Sequence, residues 1–167
     1  MPKKKKRENV LVICAHSDDH ILGVGGTMAK YHNEGKHVHA VILSYGEKSH
    51  PWLKSYFTRQ MRGSETDLAD KEIGCSSTFL DLKETKFMEG YPEIKEKLLK
   101  LIIKEKPKKV FTHTNEDPHP DHRATNEIAL DLIDAAKISP EVYLFSIWNP
   151  FSFKKSHLPK MYVDISK

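Results

Sequence analysis

The sequence predicts an α/β fold, a doubly wound and mainly parallel sheet with helices on both faces. Three observations predict it. Short apolar runs rich in β-branched residues recur along the chain, segments with helical spacing of apolar residues follow them, and glycines or prolines mark the joins. Strands that alternate with helices of ten or more residues need right-handed crossovers, and these build parallel sheet. The 167 residues fit one domain, and a chain of this size buries roughly 70% of its unfolded surface.

The elements follow in order. Val10 to Ala15 is a continuous apolar run, as expected of a strand covered on both faces. Ile21, Leu22, Met28, Ala29 and Tyr31 recur at helical spacing, which predicts a helix from about Ile21 to Glu34 stopped by Gly35. His37 to Ser44 reads as the second strand, and Tyr45 to Phe57 as a polar loop rich in aromatics. Within it Trp52, Tyr56 and Phe57 read as core cover in preference to a sugar-stacking lid. Arg59 to Ile73 reads as a helix closed by Gly74, and Thr78 to Leu82 as a short strand. Pro92 is tolerated in a first turn, so a helix is predicted from there to about Lys106. Lys109 to His113, Ala124 to Ala136 and Glu141 to Trp148 complete the alternation as strand, helix and strand. The result is Rossmann-like, without internal repeats, and places a ligand beyond the carboxyl ends of the strands, where the loops after Ala15, Ser44, Leu82 and His113 converge.

Composition narrows the function classes. Hydrophobic residues make up 38% and charged residues 30% of the chain, a globular balance. No apolar run approaches the roughly 20 residues that span a bilayer. The net charge of +4 owes much to Lys3–Lys6 and Arg7, so residues 1–9 read as a basic, flexible tail ahead of a single domain over 10–167. The tail lacks the apolar region of a signal peptide and reads as a solvated terminus. Cys14 and Cys75 make neither a disulfide framework nor a cysteine metal site, so a cytoplasmic setting is the default.

Two predicted strand ends carry the chemistry. Ala15-His16-Ser17-Asp18-Asp19-His20 follows the first strand, and Glu116-Asp117-Pro118-His119-Pro120-Asp121-His122 follows the fourth. Imidazoles and carboxylates gathered on one rim suit a catalytic zinc, which takes three protein ligands and keeps one position open. Gly23, Gly25 and Gly26 follow the first cluster, but a dinucleotide fingerprint puts its first glycine in the turn itself. Here the His/Asp cluster occupies that turn, so these glycines read as close helix packing.

The chain resembles the LmbE-like, or PIG-L-like, family of zinc-dependent N-deacetylases acting on N-acetylglucosaminyl compounds. The opening motif of the family is matched by Ala15-His16-Ser17-Asp18-Asp19 and Leu22-Gly23-Val24-Gly25-Gly26, and the later one by His119-Pro120-Asp121-His122. Arg62, Glu65, Ala69 and Gly74 match the pattern between them. Ser17 stands for the usual proline and His20 for the usual acidic residue, and family members generally continue past the stretch from Val163 to Lys167. Carried over by position, the resemblance implies His16, Asp19 and His122 as zinc ligands, Asp18 as general base and His119 as the residue facing the oxyanion. It implies an amino-sugar substrate.

On this reading Asp121 accepts a hydrogen bond from an imidazole and keeps His119 cationic, or else caps its loop. Arg62 binds a substrate hydroxyl, carboxylate or phosphate, or else pairs with Glu65 on its helix. Two competing classes remain in view. One is a non-catalytic sugar- or nucleotide-binding module, against which Asp18 speaks because binding alone needs no base. The other is nucleic-acid binding, for which the tail alone supplies only salt-sensitive contacts, so no specific nucleic-acid partner is expected. The oligomeric state, including a homo-oligomer, is left open.

Overall fold

The computed structural model describes residues 7–148 and 161–166. Lys3 to Lys6 of the basic tail lie outside them. The described chain runs β1 (Asn9–Cys14), α1 (Asp19–Asn33), β2 (His37–Ile42), a 3-10 turn (Glu47–Ser49), α2 (Ser55–Ile73), β3 (Ser76–Phe79), α3 (Phe87–Glu105), β4 (Lys109–His113), α4 (Pro120–Ala135) and β5 (Glu141–Phe145). The sheet has five strands in the order β3-β2-β1-β4-β5, and every pairing is parallel.

The central position of β1 explains its unbroken apolar run. Leu11, Ile13 and Ala15 pack with Leu98 and Ile102 of α3 and Ile128 and Leu132 of α4. Val10, Val12 and Cys14 face the other way, toward Val24 and Met28 of α1. Helices therefore cover both faces, as predicted. The chain moves from β1 to β2 on one side and reaches β4 on the other, so the loops after β1 and β4 diverge. A crevice opens between them at the carboxyl ends.

Several boundaries differ from the sequence expectation. α3 begins at Phe87 and holds Pro92 inside it. Burial of Phe87 and Tyr91, one turn apart, explains this, since two aromatic side chains at about 2 kcal/mol each outweigh the ~3 kcal/mol of an internal proline. α4 begins at Pro120 instead of Ala124, because Pro120 needs no amide partner in the first turn and His119 caps it. α2 begins at Ser55 and takes in Tyr56 and Phe57. Their exposures of 63% and 57%, with 77% for Trp52, correct the reading of these aromatics as core cover.

The glycines of α1 support the packing interpretation. A Cβ at Gly23 would lie 2.4 Å from the Phe145 ring, and one at Gly26 would lie 2.7 Å from Ile165. α1 is also tied to α2 through His20, whose Nε2 lies 3.3 Å from Asp70 Oδ1, an oxygen that also accepts from Cys75 Sγ at 2.9 Å. Burial opposes charge on Asp70, but these partners outweigh it and hold its pKa below the ordinary 3.8. A depressed carboxylate stabilises the fold above its unfolded pKa and ceases to do so as pH falls through the folded value. Asp70→Asn should therefore cost about 1–3 kcal/mol at pH 7, and the gap in melting temperature from the unaltered protein should close in acid below about pH 3.8. A gap that persists unchanged to pH 2 would remove charge from the explanation.

Candidate metal centre

Residues His16 to Asp18 form a tight link between β1 and α1. The Asp19 amide donates to the His16 carbonyl at 3.3 Å, and the His16 amide donates to Asp19 Oδ2 at 2.8 Å. Asp19 thereby occupies the first turn of α1, where the helix dipole favours a carboxylate. Its side chain is buried, yet three imidazole nitrogens surround the same oxygen. His16 Nδ1 lies at 3.4 Å, His113 Nε2 at 3.2 Å and His122 Nε2 at 3.4 Å from Asp19 Oδ2. Burial raises the pKa of Asp19, but contacts with His113 and His16 outweigh it and hold the group anionic.

The donor set fits a divalent cation. Tetrahedral ligands at about 2.0–2.1 Å from zinc stand roughly 3.4 Å from one another. Asp19 keeps that spacing to both His16 and His122. Among the described residues His122 Nε2 is buried without a hydrogen-bond partner, an arrangement costly for a polar atom unless a ligand engages its lone pair. Burial lowers the pKa of His122 and favours the neutral imidazole that a metal requires. His113 Nε2 accepts from the Ala15 amide at 3.1 Å, so its lone pair is already engaged.

The other predicted residues fall around this set. Asp121 Oδ2 lies 3.2 Å from His16 Nε2, so the imidazole it meets belongs to His16 and not to His119. Burial works against charge on His16, but the Asp121 and Asp19 contacts push its pKa up to about 9, so a cation held at its Nδ1 would have to displace the proton there while Asp121 keeps the one on Nε2. His119 Nδ1 accepts the Asp121 amide at 3.2 Å as the cap of α4. A ring that accepts at Nδ1 holds its single proton on Nε2, which replaces the expected cationic His119 with a neutral donor. Asp18 precedes α1 without a side-chain cap, and Arg62 Nη1 donates to its Oδ2 at 3.0 Å. Arg62 thus meets Asp18 where the sequence suggested Glu65 or substrate. Gly46 adopts φ 75°, and a Cβ there would stand 3.6 Å from both Arg62 and His16.

The four loops converge as expected. Ser17 Oγ donates to the Tyr45 carbonyl at 3.3 Å, the Lys48 amide to Glu84 Oε1 at 3.2 Å, and the Thr85 amide to both Asp121 oxygens at 2.9 and 3.1 Å. Three participants escaped the sequence reading: His113, Asp117 and Thr85. His113 ends a strand and Asp117 stands second in the later cluster, so position alone signalled both. Thr85, a β-branched residue held at φ 65°, carried no sequence signal.

Comparison with known proteins places this fold among characterised relatives. The family profile described as PIG-L, GlcNAc-PI de-N-acetylase, matches residues 11–133. The 4-oxalmesaconate hydratase of Pseudomonas putida is 28% identical over 139 residues, which cover 79% of this chain and 52% of the hydratase. N,N'-diacetylchitobiose deacetylase from Pyrococcus horikoshii superposes with a TM-score of 0.78 at 24% identity, over 97% of this chain and 66% of that one. The teicoplanin deacetylase Orf2, solved in a zinc inhibited form, gives 0.73 at 18% identity over 90% and 72% of the two chains. The chain thus spans about half the length of the curated hydratase.

The geometry generates a direct test of the ligand set. Elemental analysis should find one divalent ion per chain in the unaltered protein and a large loss of it in His122→Ala, while far-UV circular dichroism stays unchanged. Undiminished occupancy in that variant would exclude His122 as a ligand.

Proposed function

This chain belongs to the PIG-L family, and on that footing we propose that it is a zinc-dependent hydrolase of linear amides that removes the acetyl group from an N-acetylglucosamine-containing small molecule or glycoconjugate. The observation that carries the proposal is the spacing of His16, Asp19 and His122 around one buried oxygen, with a buried imidazole nitrogen left unpartnered. Zinc held there would lower the pKa of a coordinated water to about 7 and polarise the amide carbonyl.

The remaining steps belong to the side chains. Asp18 follows His16 by two residues and precedes Asp19, is half-exposed, and is free of helix capping. It takes a proton from the attacking water and returns it to the leaving amine. Arg62 holds that carboxylate in one orientation. His119 presents its Nε2 proton to the oxygen on which charge develops, and contributes as a neutral hydrogen-bond donor. Asp121 supports this work from behind by fixing the His16 ring, itself fixed by the Thr85 amide.

A second reading is addition of water to a carbon–carbon double bond, favoured by the hydratase among the relatives. Both reactions ask for a general base and an activated water, and they differ in substrate. A screen of N-acetyl amino sugars for released acetate, run beside a screen of unsaturated dicarboxylates for hydration, separates them. Release of acetate that a chelator abolishes supports the deacetylase; hydration alone would replace it. Binding of an amino sugar without turnover of either class would leave a binding module.

On the best substrate Asp18→Asn should lower turnover by about 10²- to 10⁴-fold with metal content unchanged. His119→Ala should likewise keep its metal and lose activity. Native turnover in Asp18→Asn would remove the general base from the mechanism, and loss of metal in His119→Ala would make that residue a ligand.

A further inference from the structure

We propose that Asp117 is a positioning residue that selects the tautomer of His122, an inference that rests on the metal-dependent reading above. Asp117 is buried, and its Oδ1 lies 3.1 Å from His122 Nδ1, on the side of the ring away from Asp19. A neutral imidazole carries one proton. With the proton on Nδ1, the ring shows it to the Asp117 carboxylate and leaves the Nε2 lone pair facing Asp19 Oδ2, where a cation is shared. The other tautomer would set a lone pair against a carboxylate oxygen and aim an N–H at the cation. Asp117 therefore favours the only tautomer that can ligate through Nε2.

The carboxylate is itself held. Oδ1 accepts the His119 amide at 2.9 Å, and Oδ2 accepts the Ile147 amide at 3.4 Å. The Asp117 carbonyl accepts from Arg123 Nη1 at 2.8 Å. One side chain thus ties the ring of a proposed ligand to the backbone of the residue proposed to face the oxyanion. Asp121 stands in the same relation to His16, at the nitrogen remote from Asp19. Each imidazole of the set has a carboxylate behind it.

Zinc affinity, read by competition with a chromogenic chelator, tests the assignment. Loss of such a partner costs 10- to 100-fold in affinity. The His122–Asp117 approach falls short of a linear hydrogen bond, so a loss nearer tenfold is expected for Asp117→Asn, with excess zinc restoring most of the turnover. A merely structural role predicts a lower melting temperature of the metal-free variant with an unchanged dissociation constant, and that result would overturn the proposal. Independently of any variant, two-bond proton–nitrogen spectra of the zinc-loaded protein should show His122 protonated on Nδ1 with Nε2 shifted by coordination. A proton on Nε2 would overturn the proposal as well. Absence of zinc binding by the unaltered protein would instead overturn the metal reading itself, which keeps the two failures distinct.

Discussion

A single buried oxygen, Asp19 Oδ2, constrains the rest of the site. Removing a carboxylate from water costs several kcal/mol unless charge or hydrogen bonds compensate. Here the compensation comes from the His16 amide and the charged His16 ring, while His113 and His122 bring two further imidazoles against the same oxygen from other segments. β1 and β4 must therefore be neighbours, because His16 follows one and His113 ends the other. The strand order meets that requirement by placing the topological switch between them.

From this oxygen the constraints spread outward in steps. His16 is set from behind by Asp121, and Asp121 by the Thr85 amide. A β-branched residue with positive φ is an energetic cost of roughly 1–3 kcal/mol, sustained here by two hydrogen bonds to a buried carboxylate. The loop after β3 is thereby as much a part of the centre as the loops that carry the imidazoles, although it contributes none. On the opposite face Arg62 reaches from α2 to Asp18, so both helical layers of the sandwich take part.

The sheet and the two His/Asp clusters were legible in the sequence because both depend on local pattern, while the choice of ligands among them came from the family resemblance. β1 reads as a doubly covered strand from Val10 to Ala15, and the two His/Asp clusters each lie within a few residues at a strand end. What escaped was nonlocal. The helix starting at Phe87 was hidden by Pro92, since only the buried contacts of Phe87 and Tyr91 outweigh the missing amide. The partner of Asp121 could not be chosen among several imidazoles without geometry, and the neutral state of His119 follows from a backbone amide whose direction no residue type encodes. Trp52, Tyr56 and Phe57 were assigned to the core because aromatics usually are, yet among the described residues they stay largely exposed.

That last feature bears on how such a chain can change over time. Side chains at Trp52, Tyr56 and Phe57 bury little area, and substitutions at such positions typically alter stability by no more than about 0.5 kcal/mol. The shells around Asp19 tolerate almost nothing of the kind. Drift is thus channelled toward these exposed aromatics and away from the buried residues packed around Asp19.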